Sequence, residues 1–172
     1  MAALSSLREK YLQQSILNLS KQVSAAVKVH VVAKVTIDAS PADVFKYLTN
    51  LKYHFLWNPH LRKVSSVKTL KLGTEYRSAS MLLGVKVEGR NLVTKFSKNQ
   101  EFELENKTSL IRYKVNHALR AQGDKTLLTC TTSVYTDNEI FNFAKSVPRL
   151  LARRELQADL QSLKIAVEQH LK

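Results

Sequence analysis

Apolar residues change their spacing four times along this chain, and each change marks an element. From 4 to 26 the period is helical: Leu12, Ile16, Leu19 and Val23 fall on one side of a polar cylinder, which predicts an amphipathic helix. At Lys28 the period becomes two. Val29, Val31, Ala33, Val35 and Ile37 alternate with Lys28, His30, Val32, Lys34 and Thr36, the pattern of a half-buried strand. Asp38-Ala39-Ser40-Pro41 ends it with a helix-start signal, Ser40 as N-cap and Pro41 at the first helical position. A short helix should run from Pro41 to Asn50 with Val44, Phe45 and Leu48 inward, followed by a loop rich in aromatics and histidine, Tyr53 to His60.

From about Leu61 to Thr136 strand follows strand, punctuated by Gly73, Gly84, Asn99, Asn106 and Gly123. Two hairpins can be put in register from side-chain type. With Asn106–Ser109 as the loop, Glu101 faces Lys114 and Glu103 faces Arg112, while Phe102 meets Tyr113 and Leu104 meets Ile111. With the next turn at Ala121–Asp124, Ile111, Tyr113, Val115 and His117 lie beside Val134, Thr132, Cys130 and Leu128. Both registers put apolar groups on one face and polar groups on the other. Val85 and Val87 share one parity, but Leu92, Thr94 and Phe96 share the other, which predicts a bulge at Gly89–Asn91. The chain closes with a helix over 138–171, its stripe formed by Ile140, Phe143, Ala144, Val147 and Leu151 and continued by Leu156, Leu160, Leu163 and Val167. Pro148 should kink or divide it.

The order of strand, two short helical segments, about six antiparallel strands and one long helix resembles the helix-grip fold of the START-like (SRPBCC) superfamily, in its polyketide cyclase-like branch. The residues that carry the likeness are Ile37 to Phe45, Trp57-Asn58-Pro59-His60 and Leu72-Gly73-Thr74-Glu75-Tyr76, with the terminal helix after them. The resemblance implies an α+β domain over 28–172, a curved sheet wrapped around the long helix, with residues 1–27 as an extension. It also implies a cavity for a hydrophobic small molecule or lipid. The registers above name its lining from the sheet: Phe102, Leu104, Ile111, Tyr113, Val115, His117, Leu128, Cys130, Thr132 and Val134. Phe143, Val147 and Leu151 would close one side, Tyr76 would join the site, and Phe55 and Trp57 would form a lid.

Composition narrows the chemistry. The 172 residues suit one domain, and an apolar share of 44% argues against disorder. No apolar run is long enough to span a bilayer, and residues 1–27 lack the apolar core of a secretory signal, so a cytoplasmic protein is expected. Cys130 is the one cysteine, which excludes an internal disulfide and reads as a small buried side chain rather than a nucleophile. His54 and His60 flank Trp57 without a third ligand at zinc-like spacing, and they read as a solvated loop. Glu101, Glu103 and Glu105 read as surface partners of basic residues. No Ser-His-Asp arrangement, P-loop or dinucleotide fingerprint is present. No metal, cofactor or catalytic set is expected. His117 and Tyr113, with Thr132 beside them, would be the polar fixing points of an apolar pocket.

Charge adds a second theme. The formal net charge is +13, and residues 28–98 hold thirteen basic against four acidic side chains. Such a face attracts anions, whether lipid head groups, RNA or a carboxylated ligand. The resemblance and the charge together leave three expected functions: a carrier for a hydrophobic ligand, a cyclase- or dehydratase-type enzyme working in the same cavity, or an RNA- or ribosome-associating protein, the last because one branch of the superfamily resembles a ribosome-binding toxin.

Overall fold

The structure, a computed structural model, describes residues 27–65, 69–82, 85–107, 112–136 and 147–171. The helix expected over 4–26 lies outside them, as do Ile111, Phe143 and the rest of 137–146. Seven strands form one antiparallel curved sheet: β1 Val27–Ile37, β2 Leu61–Val64, β3 Glu75–Leu82, β4 Val85–Ser97, β5 Glu101–Lys107, β6 Arg112–Gln122 and β7 Lys125–Thr136. Their spatial order is β1-β7-β6-β5-β4-β3-β2. Helices α1 (Pro41–Thr49) and α2 (Leu51–Trp57) follow β1, and α3 (Val147–His170) ends the described chain.

The start of α1 is the expected one. Ser40 Oγ accepts from the Asp43 N–H at 3.2 Å, and Pro41 takes the first turn, where no amide donor is needed. Asn50 then serves two helices. Its backbone N–H closes α1 on the Lys46 carbonyl, and its side-chain oxygen accepts from Lys52 N to open α2. Residues 51–57 therefore form a helix where the residue pattern alone read a loop, matching the two helical segments implied by the resemblance. Asn58 ends α2, and its side-chain oxygen accepts from the amides of His60 and Leu61.

The hairpin registers differ from those expected. Phe102 pairs with His117 and Leu104 with Val115, not with Tyr113 and Ile111; Glu101 lies opposite Ala118 and Glu103 opposite Asn116. Asn106 and Lys107 belong to the strand, paired with Tyr113 and Arg112, rather than to a loop over Asn106–Ser109. At the next hairpin Gln122 pairs with Lys125, leaving a two-residue turn in which Gly123 takes φ 64°. Glycine at the first central position suits the tight turn that matches strand twist. Tyr113 therefore faces Val134, and Thr132 faces Val115. The displacements are four residues and two residues. Both are even, so every side chain keeps its face. The bulge is displaced as well: β3–β4 pairing runs unbroken through Gly89–Asn91, and the slip falls between Val93 and Lys95 of β4.

One cluster of buried side chains joins sheet to helices. Leu160, Leu163 and Val167 of α3 meet Ala33, Val35 and Ile37 of β1, Phe102 and Leu128 of the sheet, and Val44, Leu48, Leu51 and Trp57 of α1 and α2. Helix α3 also covers the free edge of β1. Gln157 Nε2 donates to the Lys34 carbonyl at 3.2 Å, Lys164 Nζ donates to the Thr36 carbonyl at 2.8 Å, and Glu168 Oε1 accepts from Asp38 N at 2.7 Å. These bonds satisfy edge groups that would otherwise invite another strand. Leu163 is fully buried, whereas Ile165 on the same helix is half exposed. Leu163→Ala should cost about 2–5 kcal/mol in urea unfolding, and Ile165→Ala under about 1 kcal/mol. Equal losses would mean that α3 does not pack as described.

Candidate ligand site

The registers place transverse rows of side chains on the face beneath α3, because directly paired residues of an antiparallel sheet share a face. One row is Phe96, Phe102, His117, Cys130 and Ala33; the next is Val93, Leu104, Val115, Thr132 and Val31. A third, polar row follows: Tyr76, Asn91, Asn106 and Tyr113. The inner face is thus apolar in its middle and hydrogen-bonding at one end. Asn106 Nδ2 donates to Asn91 Oδ1 at 2.9 Å, and Asn91 Nδ2 donates to Ser78 Oγ at 2.8 Å.

Of the residues expected in the site, Trp57, Tyr76, Phe102, His117, Leu128 and Cys130 are buried. Leu104 and Val115 pack against the same core, and Tyr113 and Thr132 are half-buried on the inner face. Phe55 and Leu151 are exposed, at 49% and 40%. Phe55 sits beside Trp57 in sequence but off its helical face, since α2 presents His54 and Trp57 inward at i, i+3. Ile111 and Phe143 lie outside the described residues, as does the side chain of Val147.

Sequence reasoning missed several polar groups. His54 is buried rather than solvated, its Nε2 donating to the Leu48 carbonyl at 2.8 Å and its ring 5.1 Å from that of Trp57. Asp159 projects from α3 among the apolar positions, with Oδ1 3.5 Å from His60 Nε2. Its spacing was the available signal, because it lies three residues after Leu156 on the stripe. Asn91 and Asn106 are almost fully buried and were hidden by the displaced bulge and turn.

Burial sets the protonation states here. It pushes His54 down to about 4, opposed by the bond to Leu48. It pushes His117 down to about 4 as well, helped by proximity to His54 and opposed by the Phe102 backbone. Burial raises the Cys130 thiol to about 12 and the Tyr113 phenol to about 12, and raises Tyr76 further. Asp159 is raised to about 6 by burial, against the pull of His60. Near neutral pH the interior therefore holds uncharged imidazoles, a protonated thiol and protonated phenols. Among the described residues no group of three or more metal-ligating side chains converges.

Four buried polar atoms of this region lack a hydrogen-bond partner among the described residues: His117 Nδ1, Trp57 Nε1, Asn106 Oδ1 and Asp159 Oδ1, the last with only the 3.5 Å approach of His60. An unmade buried hydrogen bond costs about 1–3 kcal/mol, so a protein interior rarely leaves several together.

Residues 28–168 match the model of the family described as polyketide cyclase / dehydrase and lipid transport. The chain belongs to this family. Solved structures of the START/SRPBCC superfamily share its fold. A protein of Thermus thermophilus superposes with a TM-score of 0.72 at 16% identity, over 83% of this chain and 99% of that one. Norcoclaurine synthase from Thalictrum flavum, solved with dopamine and hydroxybenzaldehyde, gives 0.64 at 13% identity over 87% and 91%. A START superfamily protein of Mycobacterium smegmatis gives 0.59 at 15% over 82% and 95%. No curated protein matches the sequence. At such identities the likeness establishes the fold. Among the described residues, no helix is long and apolar enough to cross a membrane.

The titrations set a stability profile. Between about pH 4 and 6.5 the unfolded chain protonates both histidines while the fold does not, so stability rises with pH across that window. Asp159 works the other way up to about 6, because the fold retains its proton longer. Two histidines outweigh one carboxyl, and lowering the pH from 7 to 5 should cost about 2 kcal/mol in urea unfolding. His117→Phe should remove roughly half or more of that loss. A loss unchanged in the variant would show that His117 is not held neutral by burial.

Proposed function

We propose that this family member binds an elongated, mainly apolar small molecule or lipid between the inner sheet face and α3, and carries it rather than transforming it. The observation that supports this most is the set of unpartnered buried atoms. His117 Nδ1 and Asn106 Oδ1 are set on adjacent strands, four residues apart in register, with the apolar Leu104–Val115 row between them. At about 3.3–3.4 Å per residue that separation is roughly 13 Å. A ligand with an apolar body and a hydroxyl, amine or amide donor near one end or both would complete these bonds, with apolar surface covered by Val93, Leu104, Val115 and Leu128.

The protonation states favour holding over catalysis: the thiol and phenols are far from ionising, and neither buried imidazole takes up a proton near neutral pH. One observation supports a second reading, a cyclase- or dehydratase-type enzyme acting on the same bound molecule. The Asp159 carboxyl, raised to about 6 beside His60, is suited to general acid or base work. Norcoclaurine synthase, whose fold this chain shares, is an enzyme solved with aromatic molecules bound.

Native mass spectrometry of freshly purified protein, with organic extraction, separates these readings. A carrier should retain a discrete apolar compound at near-stoichiometric amount. Val115→Trp should empty it while the far-UV spectrum is kept, and His117→Phe, which leaves the volume filled, should lower occupancy about 10-fold through loss of one hydrogen bond. A protein purified empty that turns over an added aromatic substrate, and fails to do so as Asp159→Asn, would favour the enzyme. An empty protein that neither binds nor converts apolar compounds would overturn both.

A further inference from the structure

The strand registers generate a feature on the opposite, outer face. Arg77 of β3 pairs with Arg90 of β4, Arg90 with Lys107 of β5, and Lys107 with Arg112 of β6. Arg112 pairs with Tyr135 of β7, and Tyr135 with Lys28 of β1. A single transverse row therefore crosses six of the seven strands with five basic positions and one tyrosine. At about 4.8 Å between strands it is roughly 24 Å long.

Like charges set directly opposite each other destabilise a sheet, and elsewhere on this face the protein avoids them. Lys95 meets Glu101 at 3.2 Å, and Lys114 meets Glu103 at 3.6 Å. In the row, Arg77, Arg90 and Arg112 are exposed, and none makes an ion pair among the described residues. At its β3–β4 end Arg77 and Arg90 enter the wall of a groove of about 440 Å³, together with Lys63 and Ser65. The one carboxylate there, Glu88, is bonded to Lys86.

We infer that this row is a binding surface for a single-stranded polynucleotide, with the phosphodiester backbone of RNA lying along the cations. A line of positive charges one residue wide fits a linear polyanion. A bilayer surface would call for several exposed apolar side chains beside the cations; among the described residues Phe55 and Leu56 lie on α2, Leu72 ahead of β3, and Leu150, Leu151 and Ile165 on α3, which leaves Val32 of β1, four residues along from Lys28, on this face. Tyr135, set between Arg112 and Lys28, adds a ring for base stacking, the combination by which single strands are held without sequence preference. The surface is on the outer side of the sheet and stands independently of any ligand beneath α3.

The test is fluorescence anisotropy of a labelled mixed-sequence RNA of about 20 nucleotides, titrated with the whole protein at several salt concentrations. Phosphate contacts by the three exposed arginines should give a log–log salt slope of about −2 or steeper. The triple variant Arg77→Gln/Arg90→Gln/Arg112→Gln should make the slope shallower by about 2 and weaken binding more than about 10-fold, with melting temperature unchanged or raised because like-charge repulsion is relieved. A control triple of exposed lysines outside the row, Lys52→Gln/Lys71→Gln/Lys98→Gln, should leave the slope near the wild-type value. Equal losses in both triples would reduce the effect to net charge and overturn the inference. So would flotation with phosphatidylserine-containing vesicles by a protein that does not bind the RNA.

Discussion

A curved antiparallel sheet has one face that bends toward itself, and everything in this molecule follows from how that face is covered. Neither α1 nor α2 is long enough to do it. Helix α3, 24 residues and about 36 Å, is. It meets the sheet in two ways. Leu160, Leu163 and Val167 join the core, and Gln157, Lys164 and Glu168 bond the open edge of β1. The apolar contacts supply the free energy, and the edge bonds fix where the helix lies. His170 at its end packs edge-on against the stacked rings of Tyr47 and Tyr53, tying α3 to α1 and α2.

Covering the face in this way buries groups that a plain hydrophobic core would not contain. Two histidines, a cysteine, a carboxylate, two asparagines and two tyrosines lie on or near the inner surface, with neutral states enforced for most of them by desolvation. The asparagines bond each other and Ser78, yet one oxygen of the set is left over. An interior optimised for stability alone would replace such groups with apolar ones. Their presence is the physical argument for a bound molecule, and it goes with a family whose description includes lipid transport.

The fold was legible in the sequence because parity survives error. Displacing β5–β6 pairing by four residues and β6–β7 pairing by two misassigned every partner, but Phe102, Leu104, Val115, His117, Leu128 and Cys130 still came out on the inner face. The bulge was misplaced because Leu92 and Thr94 looked more like core than Asn91 did. Buried Asn91 and Asn106 defeat a rule that reads polar as outward, and they do so in the candidate site. Asp159 was missed for a related reason, since helical spacing put it on a buried face but its polarity argued for solvent, and His54 was missed because residues 53–60 read as a loop. The fold is thus specified by many redundant positions, whereas each polar residue in the site is an exception to the pattern that reveals the fold.

The central claim is that the inner face is a ligand site with His117 as a polar anchor. The most direct measurement is the ¹⁵N NMR spectrum of the His117 ring, recorded across pH in extracted protein and again after the co-purifying apolar material is returned. The account predicts a neutral ring from about pH 5 upward, and a change at Nδ1 alone when a donor on the ligand reaches it. A ring that titrates near its ordinary value, or a spectrum indifferent to the returned material, would contradict it.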